Sequence, residues 1–185
     1  MLSRIKALFG KEKELQPECF TGVGVVLISD LCAARLLDAP LSPADLVEAM
    51  KEVLSFQTET IRRFGGVIDK YVGGCVVAYW PPKMMPEAVS AANSAALALV
   101  KKKGAGRVNF EMRVSFSAAA FSVAAFGPAG RQRIQLIGRA FERANSMQGK
   151  LPSGGILTDA ETLLSLPESE RVNFVMNDGY AFRLK

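Results

Sequence analysis

The chain has 185 residues, a formal net charge of +5 and 49% hydrophobic residues. This length fits one domain that can bury a sizeable core. Histidine is absent from the sequence, which excludes His-based acid–base catalysis, His–Asp triads and the commonest transition-metal ligand. The positive charge is small and spread along the chain, so nucleic acid is not an expected partner.

The beginning of the sequence bears on localisation. No apolar run approaches the roughly 20 residues of a membrane span, and the first 15 residues contain no apolar run of signal-peptide length. We therefore expect a cytoplasmic protein without a transmembrane segment. Four apolar residues at near-helical spacing predict a short amphipathic helix that packs on its own domain, packs on a dimer mate or lies on a membrane surface. These residues are Leu2, Ile5, Leu8 and Phe9.

We expect residues 1–20 to form an N-terminal extension and residues 21–185 to form the domain. Cys19, Cys32 and Cys75 are odd in number and lack metal-ligand spacing. This pattern favours buried free thiols over a disulfide framework.

The first half of the domain centres on a β-hairpin. A buried strand is predicted over Gly24–Ser29, ending at Asp30, and a helix is predicted to follow from the cap residue Ser42 until Gly65-Gly66 stops it. Gly73-Gly74 then separates two apolar runs, which suits a tight hairpin turn between strands. These runs are Val67–Val72 and Cys75–Trp80.

The second half mixes helices and strands without strict βαβ alternation. That mixture predicts an α+β fold in which a mostly antiparallel sheet packs against helices. We predict a helix over Glu87–Lys103, a pair of buried strands within Phe110–Phe126, a strand over Ile134–Ile137, a helix over Arg139–Gln148, a strand over Ile156–Thr158, a short helix up to Pro167, and a hairpin of Val172–Met176 with Tyr180–Leu184 around Asn177-Asp178-Gly179.

Four segments in order carry a resemblance to a known family. They read VVLISD, GGVIDKYVGG, GPAGRQRIQLIGRAFERANSMQ and LPSGGILTDAETL. From about Val23 to Leu164 the chain resembles the class III adenylate/guanylate cyclase homology domain. The resemblance implies a ferredoxin-like core, and a site between two chains that makes cyclic nucleotide from a nucleoside triphosphate.

The resemblance implies two carboxylates that hold two metal ions on the triphosphate. Asp30 fills the first of these positions, and Gly74 occupies the second, where the carboxylate is missing. Asp30 is thus a candidate metal ligand, or alternatively a polar strand end that caps the next segment. Mg²⁺ or Mn²⁺ is expected only together with a bound nucleotide, because one carboxylate is a poor site for such a metal.

Other family positions are altered as well. The asparagine that orients the ribose and the arginine that stabilises phosphate charge match Glu142 and Ser146, and Glu142 would place negative charge beside a polyanion. Lys70 matches the family's base-recognising lysine, and Gln135 lies where its partner residue would be. These two are the candidate nucleotide-binding residues.

Four arginines follow the predicted strand pair on the side expected to face phosphate: Arg131, Arg133, Arg139 and Arg143. They suit an anion or an acidic protein partner. The alternative is a solvated face with a helix pair between Arg139 and Glu142.

Three functions compete. The first is a degenerate cyclase domain without turnover, a pseudo-enzyme that serves intracellular cyclic-nucleotide signalling as a homodimerising or regulatory module. The second is a weakly active or heterodimeric adenylate/guanylate cyclase. The third is a degenerate diguanylate-cyclase-like domain, because YVGGCVV also resembles a damaged GGDEF hairpin. We favour the first, because three of the positions that carry the chemistry are altered together.

Overall fold

The computed structural model describes residues 19–31, 42–105, 108–151 and 154–184. The predicted N-terminal amphipathic helix and Cys32 lie outside these residues, and the division of the chain at residue 20 stays a prediction. Within the described ranges, no helix is long and apolar enough to cross a membrane.

Eight strands of the described residues form one sheet, in the order β2-β3-β1-β6-β8-β10-β9 with β7 paired to β6. A separate two-stranded ribbon joins β4 to β5. The strands are β1 Phe20–Leu31, β2 Val67–Val72, β3 Cys75–Trp80, β4 Gly104–Ala105, β5 Val108–Asn109, β6 Met112–Phe126, β7 Arg133–Gly138, β8 Gly155–Asp159, β9 Val175–Asn177 and β10 Tyr180–Leu184.

Five α-helices are present in the same residues. The first has the predicted start: the Ser42 side chain accepts a hydrogen bond from the Asp45 amide, and the Asp45 carboxylate accepts one from the Ser42 amide. The helices are α1 Pro43–Arg63, α2 Glu87–Lys101, α3 Arg139–Gln148, α4 Ala160–Leu164 and α5 Glu168–Arg171, with a 3₁₀ turn over Pro82–Met84.

The sheet is antiparallel except where β6 and β8 run parallel. The long pairing between β1 and β6 runs from Phe20 opposite Val123 to Leu31 opposite Met112. The predicted α+β class with a mostly antiparallel sheet is confirmed.

The two faces of the sheet bury different helices. Alternate β1 residues such as Val25 and Leu27 pack with residues of α1 and α2. Their neighbours Val26 and Ile28 pack on the other face, with Ala144 of α3. The sheet is therefore the central layer, with α1 and α2 on one side and α3 on the other.

The central hairpin has the predicted bounds. Gly73 adopts a φ of +59° at the turn, a conformation that glycine reaches without steric cost. The register between β2 and β3 shifts between Ile68 and Lys70, so Asp69 lies in a β-bulge. A bulge of this kind re-aims side chains near functional sites.

Three details of the prediction are wrong. The segment Phe110–Phe126 does not contain two strands but one, β6, because no turn residue interrupts it and it pairs with β1 over twelve positions. Asp30 does not follow the first strand but lies within it, since the pairing continues to Leu31. Cys19 is an exposed thiol, and Cys75 is partly buried.

Candidate functional site

Asp30 is bound by an arginine of the neighbouring strand. It lies opposite Arg113 in the β1–β6 register. Arg113 donates from Nη2 at 2.6 Å and from Nε at 3.1 Å, both to Asp30 Oδ2. The two side chains are 24% and 32% exposed, so solvent screens this pair only in part. The candidate metal ligand is thus already neutralised by a cation of its own chain.

Gly74 lies at the turn beside this pair and supplies no carboxylate. Its carbonyl accepts a hydrogen bond from Gln57 Nε2 at 3.0 Å. A Cβ atom at this position would lie 2.8 Å from Cδ1 of Leu31, so any side chain here requires Leu31 to move. Leu31 therefore fills the space that a second acid at position 74 would need.

The donor set does not fit a divalent metal ion. Mg²⁺ requires near-octahedral oxygen coordination, supplied in proteins by carboxylates together with phosphate or water. Among the residues described at this end of the hairpin, Asp30 offers a carboxylate, and it is bound to Arg113. Over the described ranges, no group of three or more His, Cys, Asp and Glu side chains could hold a metal ion.

Cys75 lies close enough to Asp30 and Arg113 for their charges to affect its pKa. Burial, and second the negative charge of Asp30, raise the pKa of the Cys75 thiol to about 11, while Arg113 opposes the shift. A thiol with such a pKa stays protonated near neutral pH, so it is a poor nucleophile and a poor metal ligand.

Lys70 is held by two neighbours within the chain. Its Nζ lies 3.2 Å from Asp69 Oδ2 and 5.6 Å from the centre of the Phe141 ring on α3. The Asp69 side chain is only 4% exposed. Burial raises the pKa of Asp69, and the positive charge of Lys70 opposes that shift. The pKa of Tyr79 is also raised, by burial first and by Asp69 second.

The remaining candidates lie at the surface. Gln135 on β7 is exposed, as are Glu142 and Ser146 on α3. Ser146 Oγ donates to the Arg143 carbonyl at 2.9 Å. Lys70 on β2 and Gln135 on β7 are separated in the sheet by β3, β1 and β6, so the two candidate nucleotide-binding residues lie on different edges of the sheet.

The arginine cluster is organised differently from the predicted helix pair. Arg143 Nη1 lies 2.7 Å from Glu161 Oε2 and 3.6 Å from Asp159 Oδ1. The hydrogen bond to Glu161 raises the pKa of Arg143, and Arg143 lowers the pKa of Glu161. Arg139 does not pair with Glu142 among the described contacts. Three arginines remain exposed: Arg131, Arg133 and Arg139.

The residues that contact Asp30 and Lys70 carry little signal in the sequence. Arg113 is 83 positions from Asp30, and no sequence motif marks it. The contact of Phe141 on α3 with Lys70 on β2 is likewise marked by no motif. Asp69 could have been suspected, because an acid directly before the candidate lysine is unusual in an apolar strand.

The architecture is that of the adenylyl and guanylyl cyclase domains, so the class III cyclase resemblance is confirmed at the level of the fold. The adenylyl cyclase CyaB from P. aeruginosa is 21% identical, with a TM-score of 0.71 over 89% of this chain and 95% of that one. The guanylate cyclase domain of RhGC from Catenaria anguillulae, solved with GTP, is 16% identical, with a TM-score of 0.72 over 88% of this chain and 95% of that one.

A third similar structure is a non-canonical dimeric guanylyl cyclase domain of the RhoGC fusion protein from Blastocladiella emersonii. It is 15% identical, with a TM-score of 0.71 over 88% of this chain and 95% of that one. The same protein's domain is also described as monomeric. No protein-family model matches the chain, and no curated protein matches it.

Proposed function

We propose that the chain is a catalytically degenerate domain of the class III nucleotide cyclase fold, which acts as a dimerising or regulatory module in signalling. The observation that carries this proposal is the Asp30–Arg113 pair beside a hairpin turn without a carboxylate. Two-metal phosphoryl chemistry needs carboxylates that are free to coordinate metal ions. Here the first carboxylate is occupied, and the second is replaced by Gly74.

The helix α3 supports the same proposal. The exposed Glu142 carboxylate in its first turn would repel a polyphosphate. The Ser146 hydroxyl donates to a backbone carbonyl. A serine cannot replace a guanidinium that binds phosphate with two hydrogen bonds. The loss of one preorganised charge stabiliser costs roughly 10²–10³ in rate, and these changes act on one transition state.

Apolar exposure supports a dimer. The edge strands β2 and β7, together with the end of β6, leave large apolar side chains in water, and such patches are typical of protein interfaces. A two-fold axis would place the same patches of two copies against each other. The side chains are Val67 at 39% exposure, Tyr71 at 50%, Val72 at 61%, Phe126 at 39%, Ile134 at 38% and Ile137 at 44%.

The alternatives gain no specific support. As one half of a heterodimeric cyclase, the chain would have to contribute Asp30 or Lys70, and each already has a charged partner in its own chain. The diguanylate-cyclase alternative receives no support from the three similar structures, which are adenylyl and guanylyl cyclases.

The test measures Mn²⁺ binding, which is detected as a loss of the free-ion signal in electron paramagnetic resonance. The parent should leave the signal unchanged. The double variant Arg113→Gln, Gly74→Asp releases one carboxylate and adds a second, and it should bind Mn²⁺. Because Leu31 must move to admit the new side chain, its thermal unfolding is recorded in parallel.

The matched control is Arg62→Gln, Gly149→Asp, which changes the net charge equally at two exposed positions. It should bind no more Mn²⁺ than the parent. Binding by the parent that disappears in Asp30→Ala would contradict the proposal, because it would show a working metal ligand at Asp30.

A further inference from the structure

A cavity of about 480 Å³ lies on the opposite side of the sheet from α3. Its floor is aliphatic: Leu97 and Val100 come from the last turns of α2, and Ile156 comes from β8. Val100 and Ile156 are almost fully buried, at 7% and 1% exposure. The cavity thus opens into the main core beneath α2 and is separated from the candidate site by the sheet.

The rim of the cavity is basic. Lys101 and Lys103 lie at the end of α2, and Arg183 on β10 stands opposite Ile156 in the strand register, on the same face of the sheet. Among the described residues, neither Asp nor Glu lines the cavity.

The cations of the rim are not neutralised within the described part of the chain, where none of the three has a carboxylate partner. The adjacent Lys102 differs, because it pairs with Glu52 at 3.0 Å. Arg183 makes a contact of another kind, with its guanidinium 6.0 Å from the Phe174 ring centre. Three like charges around one opening favour an anion between them.

The end of α2 does not cancel this attraction. Helix C-termini carry partial negative charge on unpaired carbonyl groups. Here the Lys102 amide donates to the Leu99 carbonyl at 3.2 Å, and the Phe110 amide donates to the Lys103 carbonyl at 3.1 Å. The carbonyl groups nearest the rim are therefore partly satisfied by the backbone.

We propose that this cavity binds a small amphipathic anion, with a carboxylate or phosphate head at Lys101, Lys103 and Arg183 and an aliphatic body on the floor. The volume falls within the roughly 300–1,000 Å³ of small-molecule sites, which combine apolar walls with a few polar anchors. The Asn173 side chain, also at the opening, can donate to either head through its amide. This site is independent of any cyclase chemistry.

The experiment is a methyl-NMR titration of the full chain with octanoate and, separately, with octyl phosphate. Saturable shifts are expected at the methyl groups of Leu97, Val100 and Ile156. The tighter of the two ligands identifies the head group. Octylammonium has the same alkyl group with the opposite charge, and it should leave the positions of these methyl signals unchanged.

The triple variant Lys101→Gln, Lys103→Gln, Arg183→Gln removes the three charges and keeps long polar side chains. It should bind the anions about tenfold more weakly or worse, as expected when charge-assisted contacts are lost. The control variant changes the same net charge on α1, where the three cations line no part of this cavity, and should bind like the parent. Its substitutions are Lys51→Gln, Arg62→Gln and Arg63→Gln.

Several results would overturn the proposal: no saturable shifts with either anion, shifts centred on methyl groups elsewhere, equal shifts with octylammonium, or equal weakening in both variants. A triple variant whose methyl spectrum shows loss of fold is replaced by Lys103→Gln alone, an exposed position. That single variant must still weaken binding for the proposal to stand.

Discussion

Removing the Asp30–Arg113 pair should cost a measurable but limited amount of stability. Arg113 donates two hydrogen bonds to one carboxylate oxygen. Hydrogen bonds to charged groups contribute about 1.5–3 kcal/mol, whereas fully exposed ion pairs contribute about 0.2–1 kcal/mol. With side chains 24% and 32% exposed, the pair lies between these limits. We expect a coupling free energy of about 1 kcal/mol, and about 1–2 kcal/mol for Asp30→Ala alone.

The assay is a double-mutant cycle of Asp30→Ala and Arg113→Ala, measured by urea unfolding at low and high salt. The control cycle uses Glu48 and Lys51, an i,i+3 pair at 72% and 66% exposure, where we expect about 0.3 kcal/mol. A coupling free energy at Asp30 and Arg113 no larger than in the control would show that the pair is not a stabilising interaction. Asp30 would then be free for another partner.

Three further outcomes follow from packing and charge. Because the pKa of Cys75 in the folded state is raised from 9.0 to about 11, the free energy of unfolding should decrease as the pH rises from 9 to 11. Urea unfolding of Cys75→Ala should show a smaller decrease over the same range. Sedimentation at tens of micromolar should show a dimer, and a monomeric parent would contradict this. Ile137→Glu should dissociate the dimer, whereas Val175→Glu, on the edge strand β9, should not. Gly24→Ala should destabilise the fold by about 1–3 kcal/mol, because its Cβ would press on the Trp80 carbonyl and the Phe121 ring; Gly149→Ala, in open space, should leave the unfolding midpoint nearly unchanged.

The elements that the sequence predicted well are those with local signals. The capping residues of α1 and the glycine pair of the hairpin fix their own neighbours, so their bounds could be predicted within a residue or two. The segment now seen as β6 failed for the opposite reason. Its small apolar residues carry no turn signal, and only the pairing with β1 shows that the strand is continuous.

The site shows the same division between local and long-range information. The absence of an acid at Gly74 could be seen in the sequence, whereas the partner of Asp30 could not, because the β1–β6 register alone brings Arg113 to it. Likewise, Arg143 pairs with Glu161, 18 positions along the chain. The helix spacing that suggested a pair between Arg139 and Glu142 contained no information about Glu161, which lies on another helix.

The proposed loss of chemistry is tested most directly by measuring cyclic nucleotide formation by the purified chain. ATP and GTP are each incubated with Mn²⁺, and the products are separated and identified by mass spectrometry, with heat-denatured protein as the blank. We expect no product above the blank at any protein concentration, because Arg113 holds Asp30 and position 74 bears no acid. Cyclic nucleotide that increases in proportion to the amount of parent protein, and disappears in Asp30→Ala, would contradict this expectation.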